Sequence, residues 1–305
     1  MRARARGGSG TRRRATRGVP LAALPVLLLA VLASCTRVAP PPASPGTHAG
    51  VGIDRGSLVI AGGGQLGPEI VGRFIELAGG PTAHIVVIPT AGEDSVYPTD
   101  WRGLDLLRNA GASNLTLLHT VRRGVAESDS FVAAIRSARG VWFPGGRQWR
   151  LVDSYLGTRT ERELHALLAR GGVIGGTSAG ASIQASYLVR GAREGNTIMM
   201  APGYERGFAF LRKVAVDQHV GARQRQRDLQ QVVARHRDLL GLGLDEGTAI
   251  VVQGTHAEVV GRGVLYVHNG AEPAGPGAPW FTLAAGETLD LAARRRIATA
   301  AGSSR

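Results

Sequence analysis

Ser178, in Gly176-Thr177-Ser178-Ala179-Gly180, is the side chain of this sequence best placed for nucleophilic chemistry. Gly-x-Ser-x-Gly at the end of a strand suits a tight strand-to-helix turn that lifts the serine oxygen out of the sheet. Small neighbours are what such a turn needs. The amide of Ala179 would then point at a developing oxyanion from a helix N-terminus. Read as packing alone, the run is a glycine-rich corner with a capping serine.

A serine hydroxyl is a poor nucleophile at neutral pH and needs a base. Of eight histidines, the best placed is His219, which follows the apolar run Val214-Ala215-Val216 as Asp217-Gln218-His219. The base in turn needs an acid to fix its tautomer and stabilise the imidazolium. Asp245 and Glu246 follow Leu242-Gly243-Leu244, and either could serve. An esterase-like order would instead pair Asp245 with His268.

The elements that must position these groups alternate. Ser57-Leu58-Val59-Ile60, residues 84–88, 114–118, 140–143 and 172–174 read as strands. Residues 68–78, 104–110, 130–137 and 161–170 read as helices. This alternation implies an α/β domain, a mostly parallel sheet flanked by helices in three layers, with ligands at the carboxyl ends of its strands. Residues 249–252, 256–260 and 264–267 read as a C-terminal antiparallel extension. If they bind nothing, Arg223, Arg225 and Arg227 read as the solvated face of a helix running to Leu240.

The N-terminus is set apart. Residues 1–18 carry seven arginines and no acid, and an apolar run follows to Leu32. Residues 1–34 fit a signal peptide. Leu32-Ala33-Ser34-Cys35 resembles a bacterial lipobox, with Cys35 as the lipidation site and a lipid anchor to the membrane as its consequence. Residues 35–56 form a Pro-rich tether, and the peptidase-like domain spans 57–305. The formal charge of +13 falls to +6 once those seven arginines leave with the signal, and no basic stripe with interleaved aromatics remains. That argues against nucleic acid as a partner. With one cysteine in the chain there is no intramolecular disulfide. Nothing in the sequence opposes a homodimer.

Gly176 to Ala181, Asp217-Gln218-His219 and Gly243-Leu244-Asp245-Glu246-Gly247-Thr248-Ala249 together resemble the cyanophycinase branch of the S51 serine peptidases. Phe143-Pro144-Gly145-Gly146-Arg147-Gln148 resembles that family's glycine-glycine-x-glutamine loop, and the likeness runs over roughly residues 57–295. The resemblance implies a class I glutamine amidotransferase-like fold, with Ser178 as nucleophile, His219 as base and Glu246 as third member. The expected oxyanion donors are the amides of Ala179 and of Gly145 or Gly146. The resemblance also implies a pocket for a β-linked aspartyl-arginine unit, lined by Gln148, Asp217, Gln218, Arg223 and Arg225. One departure stands out. The family usually carries an arginine nine residues after the histidine, where this chain has Asp228.

Other readings fare less well. Gly62-Gly63-Gly64-Gln65-Leu66-Gly67 satisfies the dinucleotide fingerprint, but the next strand ends Ile88-Pro89-Thr90 without the ribose-binding acid. The loop reads better as close backbone approach near the active-site rim. A cysteine-dependent amidotransferase is excluded, because Cys35 precedes the domain. A catalytically silent binding lipoprotein would be free to lose Ser178, His219 or the acid, and all are present. The expected chemistry is amide hydrolysis of a peptide or polypeptide through an acyl-enzyme, with no cofactor and no metal.

Overall fold

The computed structural model describes residues 50–269 and 278–298. The expected signal peptide, Cys35 and the expected tether up to residue 49 lie outside the described residues. The end of the tether belongs to the domain. Ile53 is buried in the core, Gly52 bridges to Arg212, and Arg212 pairs with Asp54.

Among the described residues the strands form two sheets. The first is built on five parallel strands in the order β3 (Leu115–Leu117), β2 (Ile85–Val87), β4 (Gly140–Phe143), β5 (Val173–Thr177) and β1 (Ser57–Ala61). β9 (Thr248–Gln253), β10 (His256–Gly261), β13 (Thr288–Asp290) and β14 (Arg295–Ile297) extend it antiparallel beyond β1. The second sheet runs β6 (Ala185–Tyr187), β7 (Leu211–Asp217), β8 (Leu240–Leu244), β11 (Val264–His268) and β12 (Trp280–Ala284), with its first three strands parallel. The second sheet was not expected, and the C-terminal strands are shared between the two sheets rather than forming one layer. Short apolar runs specify strands but not which edge they join, because edge choice depends on partners far along the chain.

The central strands carry apolar residues on both faces, as parallel strands covered on both sides do. Side chains alternate across a strand, so Leu58 and Ile60 enter one core while Val59 and Ala61 enter the other. The second core takes α1 (Pro68–Ala78) through Ile70, Val71, Phe74 and Ile75, and α2 (Asp105–Asn109) through Leu107. Phe74 meets Trp142 edge-on at 4.9 Å. The first core is covered by α4 (Asp129–Ser137), α5 (Gln148–Tyr155) and α6 (Arg159–Ala169). It also takes apolar residues of the second sheet, including Val214, Leu242 and Leu265.

The short helices α3 (Arg123–Ala126) and α7 (Ala179–Ser182) complete this side. The last helix, α8, covers only Leu229–Arg235. Arg223, Arg225 and Arg227 therefore sit in the turns before it. Gln224 there has φ +54°, which no regular right-handed helix accommodates.

The glycines flanking Ser178 are dictated by packing. A Cβ on Gly180 would lie 2.0 Å from the carbonyl oxygen of Phe143, and one on Gly176 would lie 2.4 Å from that of Gly180. Both obstacles are backbone and cannot rotate away. Gly180→Ala should therefore destabilise the protein by about 1–3 kcal/mol or more. Urea unfolding of the variant checks this, and an unchanged midpoint would contradict it.

Candidate active site

Ser178 leaves β5 at φ 55° and ψ −111°, a conformation that non-glycine residues rarely hold. Two sets of bonds fix it there. Its N–H donates to the carbonyl of Ala61 at 3.0 Å, and its carbonyl accepts from Ala181 and Ser182 in α7. Register places the end of β5 between the ends of β1 and β4, since Thr177 faces Ala61 and Gly176 faces Phe143.

His219 arrives from the end of β7, also at positive φ (56°). Its N–H donates to the carbonyl of Gly62 at 2.8 Å, which ties the second sheet to the loop after β1. The Ser178 hydroxyl lies 2.9 Å from His219 Nε2, and His219 Nδ1 lies 2.5 Å from Glu246 Oε1. A carboxylate only accepts, so Glu246 keeps the proton on Nδ1 and leaves Nε2 free to accept from Ser178.

The choice between the two acids is settled by geometry. Asp245 accepts from the amides of Gly221 at 2.7 Å and Val264 at 3.2 Å, and from the Tyr266 hydroxyl at 3.5 Å. It braces the loop and faces away from the imidazole. His268 is buried against Trp280, where burial pushes its pKa down to about 4. The pairing of Asp245 with His268 is not assembled.

Gly63 carries the imidazole. At φ +110° its backbone passes so close that an added Cβ would lie 2.2–2.7 Å from three atoms of the His219 ring. Its neighbour Gly64 would similarly strike Glu246. The expected close approach of this loop is thus observed, and its target is the His219–Glu246 pair. Gly145 also lies beside Ser178, the Cβ position of the glycine being 3.4 Å from that of the serine. Ala179, as the first residue of α7, has an amide without an intrahelical acceptor. Gly146 has φ +140°, and a Cβ there would lie 2.1 Å from the carbonyl oxygen of Ala91.

The expected substrate residues divide. Arg223 and Arg225 line a cavity of about 490 Å³ together with Arg190, Asn196, Thr197, Gln224 and Asp228. Arg225 is 9% exposed and its Nη1 has no partner. Gln148 and Gln218 are buried, Gln148 donating to the carbonyl of Val189 and Gln218 leaving its Oε1 without a partner. Asp217 does not open onto the cavity. It is fully buried, and both its oxygens are bound by Arg190 at 2.7 and 2.8 Å. Asp217, expected to line the substrate pocket, is therefore engaged by a guanidinium of the protein itself. Arg190 was not anticipated from sequence. Its one legible signal was an arginine inside an otherwise apolar stretch, Tyr187-Leu188-Val189-Arg190.

The pKa of His219 lies below the ordinary imidazole value of 6.5, chiefly through burial. The charges of Arg223 and Arg225 lower it further, against the hydrogen bond to Glu246, which raises it. A base must be neutral to act, so a depressed pKa keeps it competent to lower pH. The acid limb of kcat/KM should fall below pH 6.5. Arg223→Gln should move that limb upward by removing a repelling cation, and a downward move in its pH–rate profile would contradict the assignment. Gly63→Ala should displace the imidazole and lower kcat/KM by about 10²-fold. Steady-state kinetics on a variant with wild-type circular dichroism reads this, and full activity would show that the close approach is unimportant.

The model of peptidase family S51 matches residues 58–260. A cyanophycinase of Geminocystis herdmanii is 30% identical over 222 residues, covering 71% of this chain and 81% of the relative. A cyanophycinase of a Nostoc species is 30% identical over 227 residues, covering 71% of this chain and 74% of the relative. The crystal structure of a peptidase from an acI-B1 Actinobacterium superposes with a TM-score of 0.57 at 22% identity, covering 77% of this chain and 97% of that one. The last likeness concerns the fold. On the family match and the identities, the chain belongs to peptidase family S51 and is a serine peptidase.

Proposed function

We propose that the protein hydrolyses an aspartyl amide bond through an acyl-enzyme on Ser178. The observation that carries this reading is the continuous relay from Ser178 Oγ through His219 to Glu246, at 2.9 and 2.5 Å. Ser178 Oγ attacks the amide carbonyl while His219 Nε2 takes its proton and then delivers it to the leaving amine. Glu246 holds the imidazole and stabilises its charge as it forms. The amide of Ala179, with that of Gly145 or Gly146, receives the oxyanion. Water, activated by the same histidine, then releases the acyl group.

The substrate class proposed is β-aspartyl-arginine, or another aspartyl peptide. The relatives' name supports it, and so does the charge of the cavity. Arg223 and the half-satisfied Arg225 suit a substrate carboxylate. Asp228, where the family pattern has arginine, adds a carboxylate to the wall and gives the pocket both signs.

Ser178→Ala should abolish hydrolysis across a panel of β-aspartyl-arginine and α-aspartyl dipeptides, given a wild-type preparation active on one of them. Unchanged turnover by the variant would refute the serine mechanism. The same panel separates a polymer-unit specificity from a general aspartyl peptidase. Labelling of wild type at Ser178 by a serine-directed phosphonate excludes a silent scaffold.

A further inference from the structure

Among the described residues, a buried cluster of charges lies at the end of β7, two residues before the base. Arg190 follows β6 with φ +57°, and its side chain is 1% exposed. Its Nε and Nη2 grip the two oxygens of Asp217 at 2.7 and 2.8 Å. Nη2 also reaches Asp228 at 2.6 Å, and Nη1 donates to the carbonyl of Asn196 at 2.8 Å. One guanidinium thus joins the end of β7, the start of α8 and the loop carrying Asn196. Its four bonds leave it little to offer a substrate.

What Arg190 holds is the strand end that delivers the base. Asp217 also accepts the amide of Gln218 at 2.9 Å, and His219 follows at positive φ. A carboxylate buried this deeply is tolerated only while it is paired. Without its partner, Asp217 must take up a proton or draw in water, and either change acts on the backbone two residues before the imidazole. We propose that Arg190 is the positioning residue for His219. The proposal rests on the reading of Ser178 and His219 as nucleophile and base.

Phosphorylation of Ser178 by diisopropyl fluorophosphate, with loss of fluoride, tests it, because this small reagent needs the Ser178–His219 geometry and does not need the charged cavity. Arg190→Lys keeps the charge but cannot form the two-pronged contact. In a variant shown to be folded by circular dichroism and thermal melting, labelling at Ser178 should slow by about 10²-fold. On any peptide that wild type cleaves, kcat should fall in parallel while KM stays within about threefold. Wild-type labelling with a raised KM would overturn the proposal and make Arg190 a wall of the pocket. If Arg190→Lys does not fold, Asp217→Asn, which keeps the shape and removes the buried charge, is read in the same way. Normal labelling of the folded Asp217→Asn variant also overturns the proposal. Failure of both to fold would show that the pair serves the whole domain rather than the base, which overturns it too. A wild-type enzyme that is not labelled refutes instead the serine mechanism on which the proposal rests.

Discussion

The imidazole of His219 joins the two sheets, and the rest of the site depends on that junction. Ser178 stands at the end of β5 in the first sheet. His219 ends β7 in the second, and Glu246 lies between β8 of the second and β9 of the first. The relay closes because the parallel register of β1, β5 and β4 and that of β7 and β8 bring five strand ends to one rim. The bond from His219 N–H to Gly62 fixes the end of β7 against the loop after β1. A shift of one residue in any of these pairings would turn its strand-end group to the opposite face.

Such a rim carries local cost. Ser178, Arg190 and His219 all have positive φ, and each such residue costs about 1–3 kcal/mol. Asp217 adds a buried charge that needs a partner. The strain persists because the surroundings over-determine it. Phe143 and Ala61 trap the serine turn, Gly63 traps the imidazole, and Arg190 traps Asp217. The two apolar cores on either face of β1 and β5 supply the compensating stability. Strain and apolar burial therefore occupy different ends of the same strands.

The triad was legible because each member ends an apolar run, and apolar runs are what parallel strands look like in sequence. Glu246 over Asp245 was a finer matter. The two are adjacent, and only the positions of Gly221, Val264 and Tyr266 show which carboxylate is already engaged. α5 is only eight residues long, too short for its pattern to stand out in the sequence, and its helical state is fixed by Leu151, Val152 and Tyr155 entering the core. The expected helix from Arg223 to Leu240 failed at Gln224, where tertiary contacts override a polar stretch with good helical composition.

The amino-acid sequence by itself determined the strand-and-helix alternation, the glycines that permit the serine turn, and the residue types needed for acyl transfer. These are local properties, set by side-chain size, periodicity and backbone freedom within a few positions. Only the tertiary structure decided the partition into two sheets, the choice of Glu246, the contact of Gly63 with the base and the capture of Asp217 by Arg190. Each of these joins residues tens of positions apart, up to more than a hundred and fifty for Gly63 and His219. Their pairing is fixed by packing and charge neutralisation in the folded interior, which no local pattern records.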